Sequence, residues 1–205
     1  MDTTFTTLLT SAGGAFLGKF VGPAAEHLGK AAWERAQAVG KNAAQLLAKV
    51  GREPQPVEPK VLVPLVQAAA LETDPGLSEQ WAALLANAAD PEQRAKVLPG
   101  FVDILRQLTP TEARVVNYIY AGQPPFSTSL IRPTSITTGE IMAAVEIPPA
   151  TVAMSVDNLL RLRLCEKRTG GLDSAGDATS LSMTYDVLPT IFGLEFFKAC
   201  TPPTG

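Results

Sequence analysis

The stretch TGEIMAAVEIPPATVAMSVDNLLRLRLCEKRT, residues 138–169, decides how the second half of this chain is read. Thr138 stands where an N-cap is needed ahead of TGEIMAAVEI. The paired Pro148 and Pro149 end that segment and preset the first turn of the next. In ATVAMSVDNLLRLRL, Val152, Val156, Leu159 and Leu160 recur at helical spacing, which predicts one apolar face. Two short helices meeting across a tight turn have helix-turn-helix spacing. LCEKRT then reads as a strand, GGLDSAGDA (170–178) as a turn-forming tip, and SLSMTYDVL (180–188) as the returning strand.

Immediately upstream, Thr109-Pro110-Thr111-Glu112 fits a capping box, with Pro110 at the first helical position. The helix it starts runs to Gly122. QPPFSTSLIRPTSITT (123–138) has no helical period and reads as a loop with room for one short strand. Three helices followed by a two-stranded wing is the order of a winged helix. Downstream, PTIFGLEFFKAC (189–200) predicts a closing helix with Ile191, Leu194 and either Phe196 or Phe197 turned inward.

Toward the N-terminus, residues 5–50 are rich in Ala and Gly and read as helix broken at Gly22-Pro23. Gly14, Gly18, Gly22, Ala25, Gly29, Ala32, Ala36 and Gly40 follow at steps of three or four, a stripe of small residues on one face. Such a stripe admits a second helix at close range, either in a packed hairpin or in a segment lying on a membrane with Phe16, Phe20 and Trp33 as anchors. The basic residues Lys19, Lys30, Arg35, Lys41 and Lys49 make a thin polar face for an interfacial helix, which favours the hairpin. The uncharged run Thr3–Leu17 is shorter than the ~20 apolar residues of a spanning helix, and no basic segment opens a secretory signal.

GREPQPVEPK (51–60) holds too many prolines and charges for a helix and reads as a linker. VLVPLVQAAALE and LSEQWAALLANAAD follow as two short helices, the second with Trp81, Leu84 and Leu85 on one side. Asp90-Pro91 and Pro99 each restart the chain as helix openings. The expected architecture is mainly α, in three parts: an Ala/Gly-rich helical region (1–52), a linker with a central helical cluster (53–108) and a winged-helix-like domain with a small two-stranded wing (109–205).

The 205 residues, 46% of them hydrophobic and 18% charged, suffice for a sizeable core without staples. Seventeen basic and 20 acidic residues leave a net charge of −3, which removes the positive field of a general nucleic-acid binder. Two cysteines fit a reducing cytoplasm. The chemical inventory is thin. His27 is the single histidine and has no ligand cluster beside it; Cys165 and Cys200 sit in apolar runs and read as buried, inert thiols. GGLDSAGDA lacks the phosphate-loop pattern, and Asp173 and Asp177 are too few for a calcium loop. The pairs Glu72 with Asp74 and Asp90 with Glu92 fall at helix starts, where they complement the dipole. No catalytic residue, metal, cofactor or small-molecule substrate is expected.

A winged helix suggests one further use. Thr151, Ser155, Asn158 and Arg161 lie near one polar face of the second helix, where they would meet a major groove, and Arg161, Arg163, Lys167 and Arg168 would reach phosphates. Asp157, Glu166, Asp173 and Asp177 offset that charge, so a protein-interaction or structural role is favoured over nucleic acid.

VEPKVLVPLVQAAALETDPGLSEQWAALLANAADPEQRAKVLPGFVDILRQLTPTEARVVNYIY (57–120) resembles the abortive infection alpha (Abi-alpha) family of bacterial proteins. The marks are the Pro-containing apolar helix before an acidic turn, WAALLANAADP, FVDILRQL and LTPTEA. GPAAEHLG near the start, and DNLLRLRL and GLEFFKAC near the end, are similar as well. Leu98 stands where family members commonly carry histidine, which favours a structural role for that position. The resemblance implies a part in defence against bacteriophage and no established catalytic residue. The expectation is therefore a non-enzymatic protein of the cytoplasm, or peripheral at the inner membrane, that acts on a protein partner, a membrane or a second copy of itself. A DNA-binding regulator and a self-association module are the alternatives.

Overall fold

The computed structural model describes residues 30–121, 134–168 and 185–204. The chain forms two compact units, Met1–Gln107 together with Lys198–Gly205, and Leu108–Phe197. It is mainly helical, with one small antiparallel sheet.

The first unit carries α1 (Lys30–Lys49), α2 (Pro59–Leu71), α3 (Pro75–Ala89), a single 3-10 turn (Arg94–Lys96) and α4 (Pro99–Leu105). Ala32, Ala36, Val39, Gly40, Ala43 and Leu47 form the buried stripe of α1. Because most of these side chains are small, the backbones of α2 and α3 pack closely against it. Gly40 of the predicted stripe is thus inside a helix contact. Gly14, Gly18, Gly22 and Gly29 lie outside the described residues, as do Phe16, Phe20 and His27.

Helix α1 ends in a Schellman motif. Gly51 takes a left-handed φ of 70°, its amide reaches the Ala48 carbonyl (3.1 Å), and the Arg52 amide reaches Leu47 (3.0 Å).

The predicted linker is tied down rather than loose. The Gln55 amide donates to the Ala89 carbonyl at 2.7 Å and Val57 is buried. Helix begins at Pro59, two residues inside the proline-rich stretch, where a missing N–H costs nothing. Asp74 caps α3 by accepting from the Leu77 amide at 2.9 Å. Trp81, Leu84 and Leu85 are buried as expected, but so is every residue from Trp81 to Asp90. The alanines between them leave no bulk to hold neighbours off, so α3 is enclosed on all sides. Asp90 does accept from the Glu92 amide, yet only a turn and the 3-10 segment follow it, not the predicted helix.

The second unit carries α5 (Pro110–Ala121), β1 (Ile136–Thr137), α6 (Thr138–Val145), α7 (Pro149–Arg161), β2 (Cys165–Lys167), β3 (Asp186–Pro189) and α8 (Ile191–Ala199), whose last turn belongs to the first unit. The strand order is β1-β3-β2, with Ile136 opposite Val187 and Cys165 opposite Pro189. To the two expected strands the sheet adds β1, which falls in the 123–138 loop where the sequence left room for one short strand and at two residues is too short to show a period. The tip predicted at 170–178 lies outside the described residues.

Two capping boxes start helices here. Thr109 and Glu112 pair as predicted, the Thr109 amide donating to Glu112 Oε2 at 2.7 Å. On α6 the cap is Thr137 with Glu140, one residue before the predicted Thr138. Thr138 is buried and committed to the sheet: its amide donates to the Tyr185 carbonyl and its hydroxyl accepts from the Tyr185 amide. On α8, Leu194 and Phe196 turn inward as expected, whereas Ile191 is 72% exposed at the helix start.

Candidate functional site

Helix α7 is the element on which the sequence places a recognition surface. Val152, Ser155, Val156 and Leu159 form its buried side. At about 100° per residue, the opposite side carries Ala150, Met154, Asp157 and Arg161, all exposed. Ser155 is only 5% exposed, and Thr151 is half-buried. The Asn158 amide donates to Glu112 Oε1 at 2.7 Å, while its carbonyl oxygen accepts from Arg161 Nε (3.0 Å) and Nη2 (2.7 Å). Glu112 is itself buried and completes the Thr109 cap with its other oxygen, so Asn158 ties α7 to the start of α5. The predicted polar face is thus rotated by about one residue: Thr151, Ser155 and Asn158 flank the core where α5 packs, and only Arg161 faces out.

The other predicted phosphate contacts are on β2 and just past it. Lys167 Nζ sits 4.7 Å over the Tyr185 ring. Arg168 pairs with Asp186 (3.3 Å) and donates to Ser135 Oγ at 3.3 Å. From residue 108 to 197 six basic residues face nine acidic ones, so this unit carries a net negative charge.

What sequence reasoning missed is an apolar surface around the α6–α7 turn. Met154 is 73% exposed on α7, and Met142, Ala143 and Ala144 on α6 and Pro148 and Ala150 at the turn are exposed as well, together with Glu146. The helical phase of Val152, Val156 and Leu159 contained the signal, because it sets Met154 on the far side. Arg114 stabilises this corner by donating to the Val145 carbonyl at 2.6 Å, a group left open where α6 ends with Glu146 in the left-handed region.

Elsewhere the polar groups serve the architecture. Burial pushes the Cys165 thiol up to about 12, with Glu166 adding to the effect, and burial raises Cys200 as well. Neither thiol is primed as a nucleophile. Tyr120, raised to about 12 chiefly by burial, donates to the Leu164 carbonyl and accepts from the Thr190 amide at 3.1 Å. In the first unit, Asp90 is fully buried and pairs with Arg52 at 2.6 Å. An open cleft of about 200 Å³ lies between Val57, Val61, Arg94 and Val97, with Lys60 paired to Glu58 at its edge. Among the described residues, no three His, Cys, Asp or Glu side chains converge as a metal site, and no helix is long and apolar enough to cross a membrane.

Fold and surface define a mainly helical protein with one small antiparallel sheet among the described residues. The profile of the abortive infection alpha family matches residues 34–200, from the first turns of α1 to the end of α8, and the chain belongs to that family. No curated protein and no solved structure matches it.

Proposed function

We propose that this chain is a non-enzymatic anti-phage protein that acts through protein contacts, with Leu108–Phe197 as a winged-helix module turned to protein rather than DNA recognition. The reading of the module rests on element order: α5, β1, α6, α7, then the antiparallel pair β2 and β3. One observation carries the choice of partner. The outward side of α7 presents Ala150, Met154, Asp157 and Arg161, while Ser155 and Asn158 are held inside a net acidic unit. Phosphate neutralisation supplies most non-specific DNA affinity, and this surface has little to offer it. A cytoplasmic location suits two buried thiols and the burial of Gly40 in a helix contact.

The test is phage plating on cells expressing the chain, at low and high multiplicity, with cell survival followed in parallel. Protection at low multiplicity with cell death at high multiplicity supports the reading; no protection across a broad phage panel removes it. A DNA-binding regulator is the second reading, favoured by the exposed Arg161, Lys167 and Arg168. It predicts binding that falls steeply with salt and weakens in Arg161→Ala and Arg168→Ala, and it fails if no binding is seen at low salt. A single monomer mass across a wide concentration range would exclude self-association.

A further inference from the structure

Residues Cys200–Thr204 follow α8 without forming regular structure, and two side chains of the first unit hold them. Asn87, on the enclosed part of α3 and 3% exposed, directs its amide nitrogen at three carbonyls: Lys198 (3.4 Å), Ala199 (2.9 Å) and Thr201 (2.8 Å). Lys198 and Ala199 are the last residues of the helix, where carbonyls lose their intrahelical partners, and the Lys198 carbonyl also accepts from the Thr201 amide and hydroxyl. Arg52 Nη2 donates to the Thr204 carbonyl at 3.1 Å while the same guanidinium pairs with Asp90 (2.6 Å) and Glu92 (2.7 Å). Cys200 and Pro203 are the buried side chains of the segment.

We propose that Cys200–Thr204 is a releasable strap that opens while α1, α2 and α3 stay folded, and that the closed strap is the resting state of the protein. The attachments make release inexpensive. The strap's bonds to Asn87 and Arg52 run from a side chain to the carbonyls of Thr201 and Thr204, and water can replace each one when the segment lifts, while the Thr201 amide and hydroxyl donate locally to the Lys198 carbonyl. Arg52 keeps both carboxylate partners in the open form, so no buried charge is stranded. A segment held by a few such bonds and two buried side chains belongs to the low-stability end of a fold, where local opening precedes global unfolding. The resting-state role rests on the anti-phage reading above; the opening itself does not.

Cys200 reports on the strap directly. In the native full-length protein, a small thiol reagent with peptide-resolved mass spectrometry should modify Cys200 at least about tenfold faster than Cys165, the buried thiol of β2. Asn87→Leu, by removing the amide on the Thr201 carbonyl, and Pro203→Gly, by removing a buried ring, should each raise the Cys200 rate by about a further tenfold, with amide exchange in α1–α3 unchanged. Labelling of Cys200 only at the global unfolding rate, or rates indifferent to both variants, overturns the strap. If circular dichroism shows that Asn87→Leu has lost its fold, Pro203→Gly decides. In cells without phage, the loosened variants should reduce viability. Unchanged viability with accelerated labelling overturns the resting-state role, and failure of the wild-type chain to protect against phage leaves the labelling result standing by itself.

Discussion

Gly193 shows how a single residue can be fixed by its surroundings. It is buried on α8 against the Tyr120 hydroxyl and the Leu164 carbonyl, and a methyl group there would overlap both. The Tyr120 ring also stacks on Phe197 with centroids 5.6 Å apart, so the tyrosine cannot swing away cheaply. Gly193→Ala should therefore cost about 1–3 kcal/mol, as overpacked cores do, and a urea titration will measure it. A cost under 0.5 kcal/mol would show that Tyr120 can move. Alkaline stability is set at the same scale. Tyr120 is raised from 10.0 to about 12 and Cys165 from 9.0 to about 12, so the folded state holds both neutral. That contribution is complete below pH 9 and is lost as pH rises toward 12, because the unfolded chain ionises first. Thermal midpoints should fall progressively above pH 9, and Tyr120→Phe with Cys165→Ala should flatten the decline. An unchanged slope in that double variant would place the cause elsewhere.

At the scale of elements, helix starts were the most legible feature. Pro59, Pro75, Pro99, Pro110 and Pro149 all occupy the first turn of a helix, because each can do so without losing a hydrogen bond. Thr109→Ala should cost about 1 kcal/mol by removing the cap hydroxyl, read as a lower urea midpoint with unchanged m-value. Thr137 and Thr138 show where legibility stops. Two adjacent threonines are equally good caps on paper, and the choice between them is made by Tyr185, whose amide and carbonyl claim Thr138 from 47 residues away. The rotation of α7 has a similar origin. Its apolar residues gave the correct inward side, but that side also takes in Ser155, which is buried, and Asn158, which α5 holds through Glu112. Strand β1 falls in the loop that had room for one short strand, but two residues are too few to fix its place from the sequence.

For the whole molecule, the functional prediction concerns the apolar corner at α6–α7. Met154→Asp should abolish or strongly reduce phage protection while shifting stability by no more than about 0.5 kcal/mol, since the side chain is 73% exposed. Plating efficiency alongside a thermal melt checks it, and full protection by a folded Met154→Asp protein would move the contact surface away from α7. The same scale explains why Asp90, Arg52 and Asn87 went unnoticed as a group. Asp90 reads locally as a helix opening beside Glu92, and Asn87 as an ordinary residue of an alanine-rich helix. Their partners lie 38 residues upstream, at Arg52, and more than 100 residues downstream, in the final segment.

Legible in the residues were the family, the mainly helical class, most helix starts, the inward sides of α1 and α7 and the burial of both thiols. Those properties follow from local chemistry: caps, prolines and apolar spacing act within one or two turns. The tertiary structure alone decided which threonine caps α6, how wide the buried side of α7 is, how α3 is enclosed and what holds Thr201 and Thr204. Each of those outcomes depends on a hydrogen-bond or packing partner distant in sequence, and no local pattern carries the identity of such a partner.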